Sequence, residues 1–127
     1  MINHTGINVT DLARSKAFYS AVLATLDVGV TLDVGAAIGF GRAQPDPGDD
    51  PGGAFWISRG VPHEPRVHIA FTAASRDQVL AFHTVALDNG ARDNGEPGLR
   101  SQYHPDYFAA FVLDPDGYNI EAVFHGS

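Results

Sequence analysis

Three side chains stand out as able to do chemistry together: His4, His68 and Glu121. Glu121 lies in the run Asn119-Ile-Glu-Ala-Val-Phe124, which reads as a β-strand. Side chains alternate along a strand, so Asn119, Glu121 and Val123 share one face, while Tyr118, Ile120, Ala122 and Phe124 share the other. Glutamate is a poor strand former, and an unpaired buried carboxylate is costly. From this strand alone, Glu121 is either an outward charge in water or an inward one that needs a partner. His4 and His68 stand 64 residues apart, half the length of the chain, and each falls in the opening strand of its half. Two imidazoles and one carboxylate suit a divalent cation with open positions, whether iron(II), manganese, nickel or zinc. A cation would also supply the counter-charge that a buried carboxylate lacks. A single strand histidine is more often structural, and the spacing by itself is no signature.

The elements that must bring these residues together are legible in order. Ile2 to Val9 alternates like a half-buried strand, and Thr10-Asp11 caps a helix running to Leu26. Phe18, Val22 and Leu26 form its inward stripe, with Ala17 and Ala21 beside it. Short strands are expected at Val28–Thr31, Ile38–Arg42 and Ala54–Ser58, with a Pro/Gly/Asp loop over 44–53 and a connector from Arg59 to Arg66. The pattern then begins again. Val67–Ala73 is a strand, Ser75-Arg-Asp-Gln78 is a capping box, and a helix runs to about Asp88 before Asn89-Gly90 closes it. Arg92–Arg100 reads mostly as loop, and Ser101–Asp106 leads into a strand at Tyr107–Leu113. Asp114-Pro-Asp-Gly117 is a tight turn into the last strand. The offset of 64 that relates the histidines also pairs Ala17 with Ala81, Phe18 with Phe82 and Leu23 with Leu87. The chain is therefore an α+β protein of two strand–helix–three-strand modules, about 1–60 and about 66–127. A pseudo-twofold between such modules lets His4 and His68 converge, with Glu121 added from a last strand.

Composition narrows the function classes. The chain has 127 residues, 44% hydrophobic and 18% charged, which suits one domain with a proper core. The formal net charge is −7 and the basic residues are scattered, which argues against nucleic acid or an anionic membrane as a partner. There is no cysteine, hence no disulfide, thiolate nucleophile or cysteine-held metal. No leader pattern or membrane-spanning run is visible, and a cytoplasmic setting is expected.

These motifs carry a resemblance. His4 followed by Val-Thr-Asp-Leu-Ala-Arg-Ser-Lys-Ala-Phe-Tyr19, the second histidine His68, and Asp114-Pro-Asp-Gly-Tyr-Asn-Ile-Glu121 resemble the vicinal oxygen chelate superfamily over nearly the whole chain. This is the group of glyoxalases, bleomycin-resistance proteins and extradiol dioxygenases. The resemblance implies paired βαβββ modules forming an open, cupped mixed β-sheet with flanking helices, often dimeric, with a metal inside the cup. His4, His68 and Glu121 fall where that superfamily carries metal ligands. Glyoxalase-like members hold a fourth ligand on the last strand of module one, where this chain offers only Phe55, Trp56 and Ile57. The extradiol pattern is similar at His104, Asp114-Pro-Asp-Gly117 and Glu121, but it wants a tyrosine where Phe111 stands. The fosfomycin-resistance pattern wants a cation beyond the glutamate, where the chain ends in Ala-Val-Phe-His-Gly-Ser.

What the resemblance implies is a metal-dependent lyase or isomerase for a small substrate with vicinal oxygens. The alternatives are ring-cleaving dioxygenation and metal-free binding of a drug-like molecule. His104 and Tyr103 are the candidate proton-transfer groups. Arg92 and Arg100 are candidates for holding an anionic group, with Tyr107 and Trp56 as pocket walls. His63, His83 and His125 read as surface or packing residues. Cupped sheets leave strand edges that a second copy can cover, so a twofold homodimer is expected. Sedimentation at micromolar concentration should show a dimer of the 13.5 kDa chain, and a purely monomeric boundary would contradict this.

Overall fold

The computed structural model describes residues 1–126. The chain divides into two compact units, Met1–Glu64 and Pro65–Ser127. Each carries one helix and a four-stranded mixed sheet, and neither sheet closes into a barrel. The chain is α+β, with two βαβββ modules.

In the first unit, β1 (Thr5–Val9) is followed by α1 (Leu12–Ala24), β2 (Val28–Asp33), β3 (Ala37–Arg42) and β4 (Phe55–Arg59), in the sheet order β1-β4-β3-β2. The β1–β4 pair is parallel and the others antiparallel. Asp11 caps α1 by accepting the Arg14 N–H at 3.0 Å. The core gathers Tyr19, Phe18, Phe40 and Phe55, with Tyr19 edge-on to Phe55 at 5.1 Å between ring centres. The inward stripe of α1 is Leu12, Ser15, Phe18, Tyr19, Val22 and Leu23, and Leu26 just beyond it is also buried. Ala17, expected beside that stripe, faces solvent.

In the second unit, β5 (His68–Thr72) leads to α2 (Arg76–Asp88), β6 (Arg92–Leu99), β7 (Tyr107–Leu113) and β8 (Asn119–His125), ordered β5-β8-β7-β6. The helices α1 and α2, with their caps Asp11 and Ser75, stand at the same offset of 64 that relates the histidines. Ser75 accepts the Gln78 N–H at 3.1 Å, and the Gln78 side chain returns to the Ala74 N–H at 2.8 Å. Val79, Phe82 and Ala86 are buried, whereas Ala81 and Leu87 are exposed.

Arg92–Leu99 is a strand, not the loop its Gly95, Pro97 and Gly98 suggest. It lies at the sheet edge, where a proline needs no second partner, and its pairing with β7 shifts register at Asp93/Gly95 and again at Gly95/Gly98. The turn at Asp114–Gly117 is held by Asp114 Oδ1, which accepts the N–H groups of Asp116 and Tyr118, each at 2.9 Å. That turn sets β8 between β5, parallel, and β7, antiparallel, with Ala70 and Phe111 as the register partners of Glu121. No helix among the described residues is long and apolar enough to cross a membrane.

Candidate functional site

Position follows from register. Tyr107, Ala109 and Phe111 of β7 share a face with Glu121, Val123 and His125 of β8 and with His68 and Ala70 of β5. The opposite face, with Val112, Ile120 and Ala122, is buried in the core of the unit. Glu121 is nevertheless only 1% exposed. Its Oε1 lies 2.9 Å from His68 Nε2, and its Oε2 accepts a short hydrogen bond from the Tyr107 hydroxyl. Ala109, between Tyr107 and Phe111 on that face, carries only a methyl.

Burial chiefly, and then the bond to Glu121, push the Tyr107 hydroxyl up to about 12, so it keeps its proton at neutral pH. A carboxylate donates nothing, so the Tyr107 O–H and the His68 N–H are the donors to Glu121. The imidazole and carboxylate atoms that a cation would use are thus bonded to each other. Moving the His68 proton to Nδ1 frees Nε2 as a ligand without net charge.

Around this pair stands an aromatic and imidazole cluster. The tight turn from Arg100 to Tyr107 is tied by backbone bonds, Arg100 N–H to Tyr107 O at 2.7 Å and Tyr103 N–H to Arg100 O at 2.9 Å. It sets the Tyr103 ring 4.9 Å and the His104 ring 5.4 Å from the Tyr107 ring. His104 Nδ1 accepts the Asp106 N–H at 3.1 Å, which leaves its proton on Nε2, 2.7 Å from His125 Nδ1. His125 belongs to this cluster, stacked on His104, rather than being an isolated surface residue. Arg100 lies over Phe111, and Phe111 lies 6.1 Å from the His68 ring. Arg92 is exposed at the other end of β6, paired through its backbone with Leu113.

Of the remaining expected residues, His4, Trp56 and His63 lie in the first unit and His83 in the second. His4 precedes β1 and is 57% exposed, with its Nδ1 2.8 Å from Asn3 Oδ1 and 3.3 Å from Asp50 Oδ2. Trp56 donates its indole N–H to Gly53 O at 2.9 Å and lays its ring against Gly39 and Gly52. His63 accepts the Asn8 N–H at 3.2 Å. His83 is a packing residue, at the place α1 gives to Tyr19, and it is bonded to Asp93 at 3.0 Å. Among the described residues no three His, Asp or Glu side chains gather around one point; the His68–Glu121 pair offers two donors of such a set.

The bond between Tyr107 and Glu121 was the feature hardest to see in sequence, because 14 residues separate them and only the β7–β8 register joins them. It has a measurable consequence. Because folding raises the affinity of Tyr107 for its proton, that contribution to stability is present below about pH 10 and is lost as pH rises toward 12. Denaturant titrations over that window should show the native protein losing stability more steeply than Tyr107→Phe. Parallel losses would show that Tyr107 is not coupled to Glu121.

The sequence pattern of the Glyoxalase/Bleomycin resistance protein/Dioxygenase superfamily matches residues 1–122. No curated protein sequence matches the chain. Among solved structures, a glyoxalase/bleomycin resistance protein from Albidiferax ferrireducens T118 is 28% identical, with a TM-score of 0.78 and 98% of each chain covered. A glyoxalase/bleomycin resistance protein/dioxygenase family enzyme from Burkholderia phytofirmans PsJN is 15% identical, with a TM-score of 0.72 and 98% of each chain covered. The fosfomycin resistance protein FosX from Listeria monocytogenes, a mutant complexed with Mn(II) and 1S,2S-dihydroxypropylphosphonic acid, is 19% identical, with a TM-score of 0.70; the match covers 100% of this chain and 90% of that one. The match spans nearly the whole chain and the fold is shared with these structures, and the chain belongs to the Glyoxalase/Bleomycin resistance protein/Dioxygenase superfamily.

Proposed function

We propose that the protein is a metal-dependent enzyme of the lyase or isomerase type, a cytoplasmic homodimer acting on a small substrate with two adjacent oxygens, with His4, His68 and Glu121 as the metal ligands. The observation that carries this reading is Glu121, 1% exposed, with, among the described residues, no Lys or Arg paired to it and only a tyrosine hydroxyl and an imidazole at its oxygens. Neither a hydroxyl nor an imidazole carries a permanent positive charge, so this buried carboxylate has no fixed counter-ion among the described residues. The donor set fits a divalent cation such as iron(II), manganese, nickel or zinc: one carboxylate oxygen and an imidazole nitrogen 2.9 Å apart, with His4 the equivalent of His68 in the repeat. A metal bound there would supply Lewis acidity toward adjacent substrate oxygens. The chain's own groups divide the remaining work. Tyr107 stays protonated and orients Glu121. His104 and Tyr103, beside Tyr107, are the proton-transfer candidates, and the bond from His104 to His125 gives a proton a second resting place. Trp56 and Arg92 are the proposed outer contacts of the substrate.

The manganese held by FosX, a neighbour in fold, supports the choice of a divalent cation. Replacing His4, His68 or Glu121 by Ala should lower manganese and zinc affinity by about a hundredfold or more, while His63→Ala leaves it unchanged. His83 would be a poor control, being buried and bonded to Asp93. Equal metal retention in all four variants would remove the assignment.

A second reading, ring-cleaving dioxygenation, draws support from Tyr107, whose hydroxyl reaches Glu121 although Phe111 carries none. It ranks below the first because that hydroxyl is already committed to the carboxylate, and loss of one transition-state donor typically costs about 10²–10³ in rate. Protein reconstituted anaerobically with iron(II) should therefore cleave catechols poorly, with only a modest gain in Phe111→Tyr. Rapid cleavage by the native chain would reverse the ranking and assign the donor role to Tyr107.

A further inference from the structure

Arg100, one residue beyond the end of β6, is half-buried and held in place. Its Nη2 donates to Glu96 O at 2.7 Å, and its guanidinium carbon lies 5.4 Å from the centre of the Phe111 ring. The glycines of β6 make room for it. A Cβ on Gly95 would fall 2.9 Å from Phe111 Cδ1 and 3.1 Å from Arg100 Nη2, and one on Gly98 would fall 3.3 Å from Arg100 Nη1. The two register shifts of β6 bracket Gly95, so the strand gives up regular pairing where the guanidinium lies.

A guanidinium offers five N–H donors, and the Glu96 carbonyl takes one. No carboxylate among the described residues pairs with Arg100, although the chain has 15 acidic residues against eight basic ones. Two other cations do pair: Arg42 bridges Asp46 and Asp49, and Lys16 bridges Asp33. Arg100 therefore keeps a fixed position and an unanswered charge. Its place is also telling. Phe111, under the guanidinium, is the cross-strand partner of Glu121 and a neighbour of the His68 ring, so all of them share one face of the sheet.

We propose that Arg100 is the anion-binding residue of this site, and that the substrate is a small oxyanion, a phosphate monoester or a free carboxylate, carrying its two adjacent oxygens on the same short skeleton. The adjacent oxygens rest on the metal reading above; the anion does not. A planar fork backed by an aromatic ring and steadied by a main-chain carbonyl is preorganised for two parallel bonds to such a group.

The test uses the full metal-free chain. Glycerol phosphate, glycerate and glycerol are titrated while the Arg100 Nε–H and the Gly95, Gly98 and Phe111 amide resonances are followed. Saturable shifts are expected with either or both anions and none with glycerol, and the tighter anion identifies phosphate or carboxylate as the group recognised. Arg100→Gln should weaken the anion by about tenfold or more, as loss of a charge-assisted bond does, with Arg100→Lys recovering only part. No shift at Arg100 in the native protein, or equal affinity for glycerol and the anions, would overturn the proposal, as would undiminished anion affinity in Arg100→Gln. Manganese binding, measured separately on native protein and Arg100→Gln, should be the same in both. Its absence from both would count against the metal reading while the anion titration stood on its own.

Discussion

The second unit is built around one electrostatic problem, a carboxylate in the middle of a central strand. Glu121 is 1% exposed, and both neighbours of β8 are hydrogen-bonded to it along the backbone. An isolated buried charge costs several kcal/mol, far more than the marginal stability of a small domain can absorb without partners. The partners come from the two flanking strands, His68 from β5 and Tyr107 from β7. Each hydrogen bond to a charged group contributes about 1.5–3 kcal/mol. These offset part of the desolvation. On the function proposed above, a cation would answer that charge, since it gains most where a carboxylate is dry.

The same constraint shapes the surroundings. Between Tyr107 and Phe111 on this face of β7 stands Ala109. The Arg100–Tyr107 turn, tied by main-chain bonds, holds Tyr103 and His104 against the Tyr107 ring, and His125 stacks on His104 from the end of β8. Arg100 brings a positive charge onto this face through a gap made by Gly95 and Gly98. A polar cluster therefore accumulates on one face, while the core face holds Ile120, Ala122 and Val112. One sheet carries core residues on one side and the polar cluster on the other.

The two modules share a frame and put it to different uses. Their helices and caps correspond residue for residue, and Phe18 and Phe82 are both buried. Yet Tyr19 is core where His83 is bonded to Asp93, and Leu23 is core where Leu87 is exposed. His4 lies just outside β1 beside Asn3 and Asp50, whereas His68 opens β5 and meets Glu121. Duplication preserves what backbone geometry demands and leaves side chains to diverge.

Local signals in the sequence determined the helices with their caps, the hairpin at Asp114–Gly117 and the repeat, because caps, turns and alternation act over a few residues. They also singled out Glu121, since a carboxylate among β-branched and aromatic neighbours conflicts with its surroundings. Whether that charge was buried, and by what, could not be read locally. Alternation assigns Glu121 a face but says nothing of what covers it. The strand Arg92–Leu99 was hidden for a related reason: Gly95, Pro97 and Gly98 carry the propensity of a loop, and only pairing with β7 at a sheet edge makes them a strand. The helical stripe was half legible, because period alone permits Ala17 or Ser15 beside Phe18, and the packing of the unit buries Ser15. Tyr107 with Glu121, His104 with His125, and Arg100 with Phe111 are joined by strand register and one turn, long-range contacts that tertiary structure alone decides.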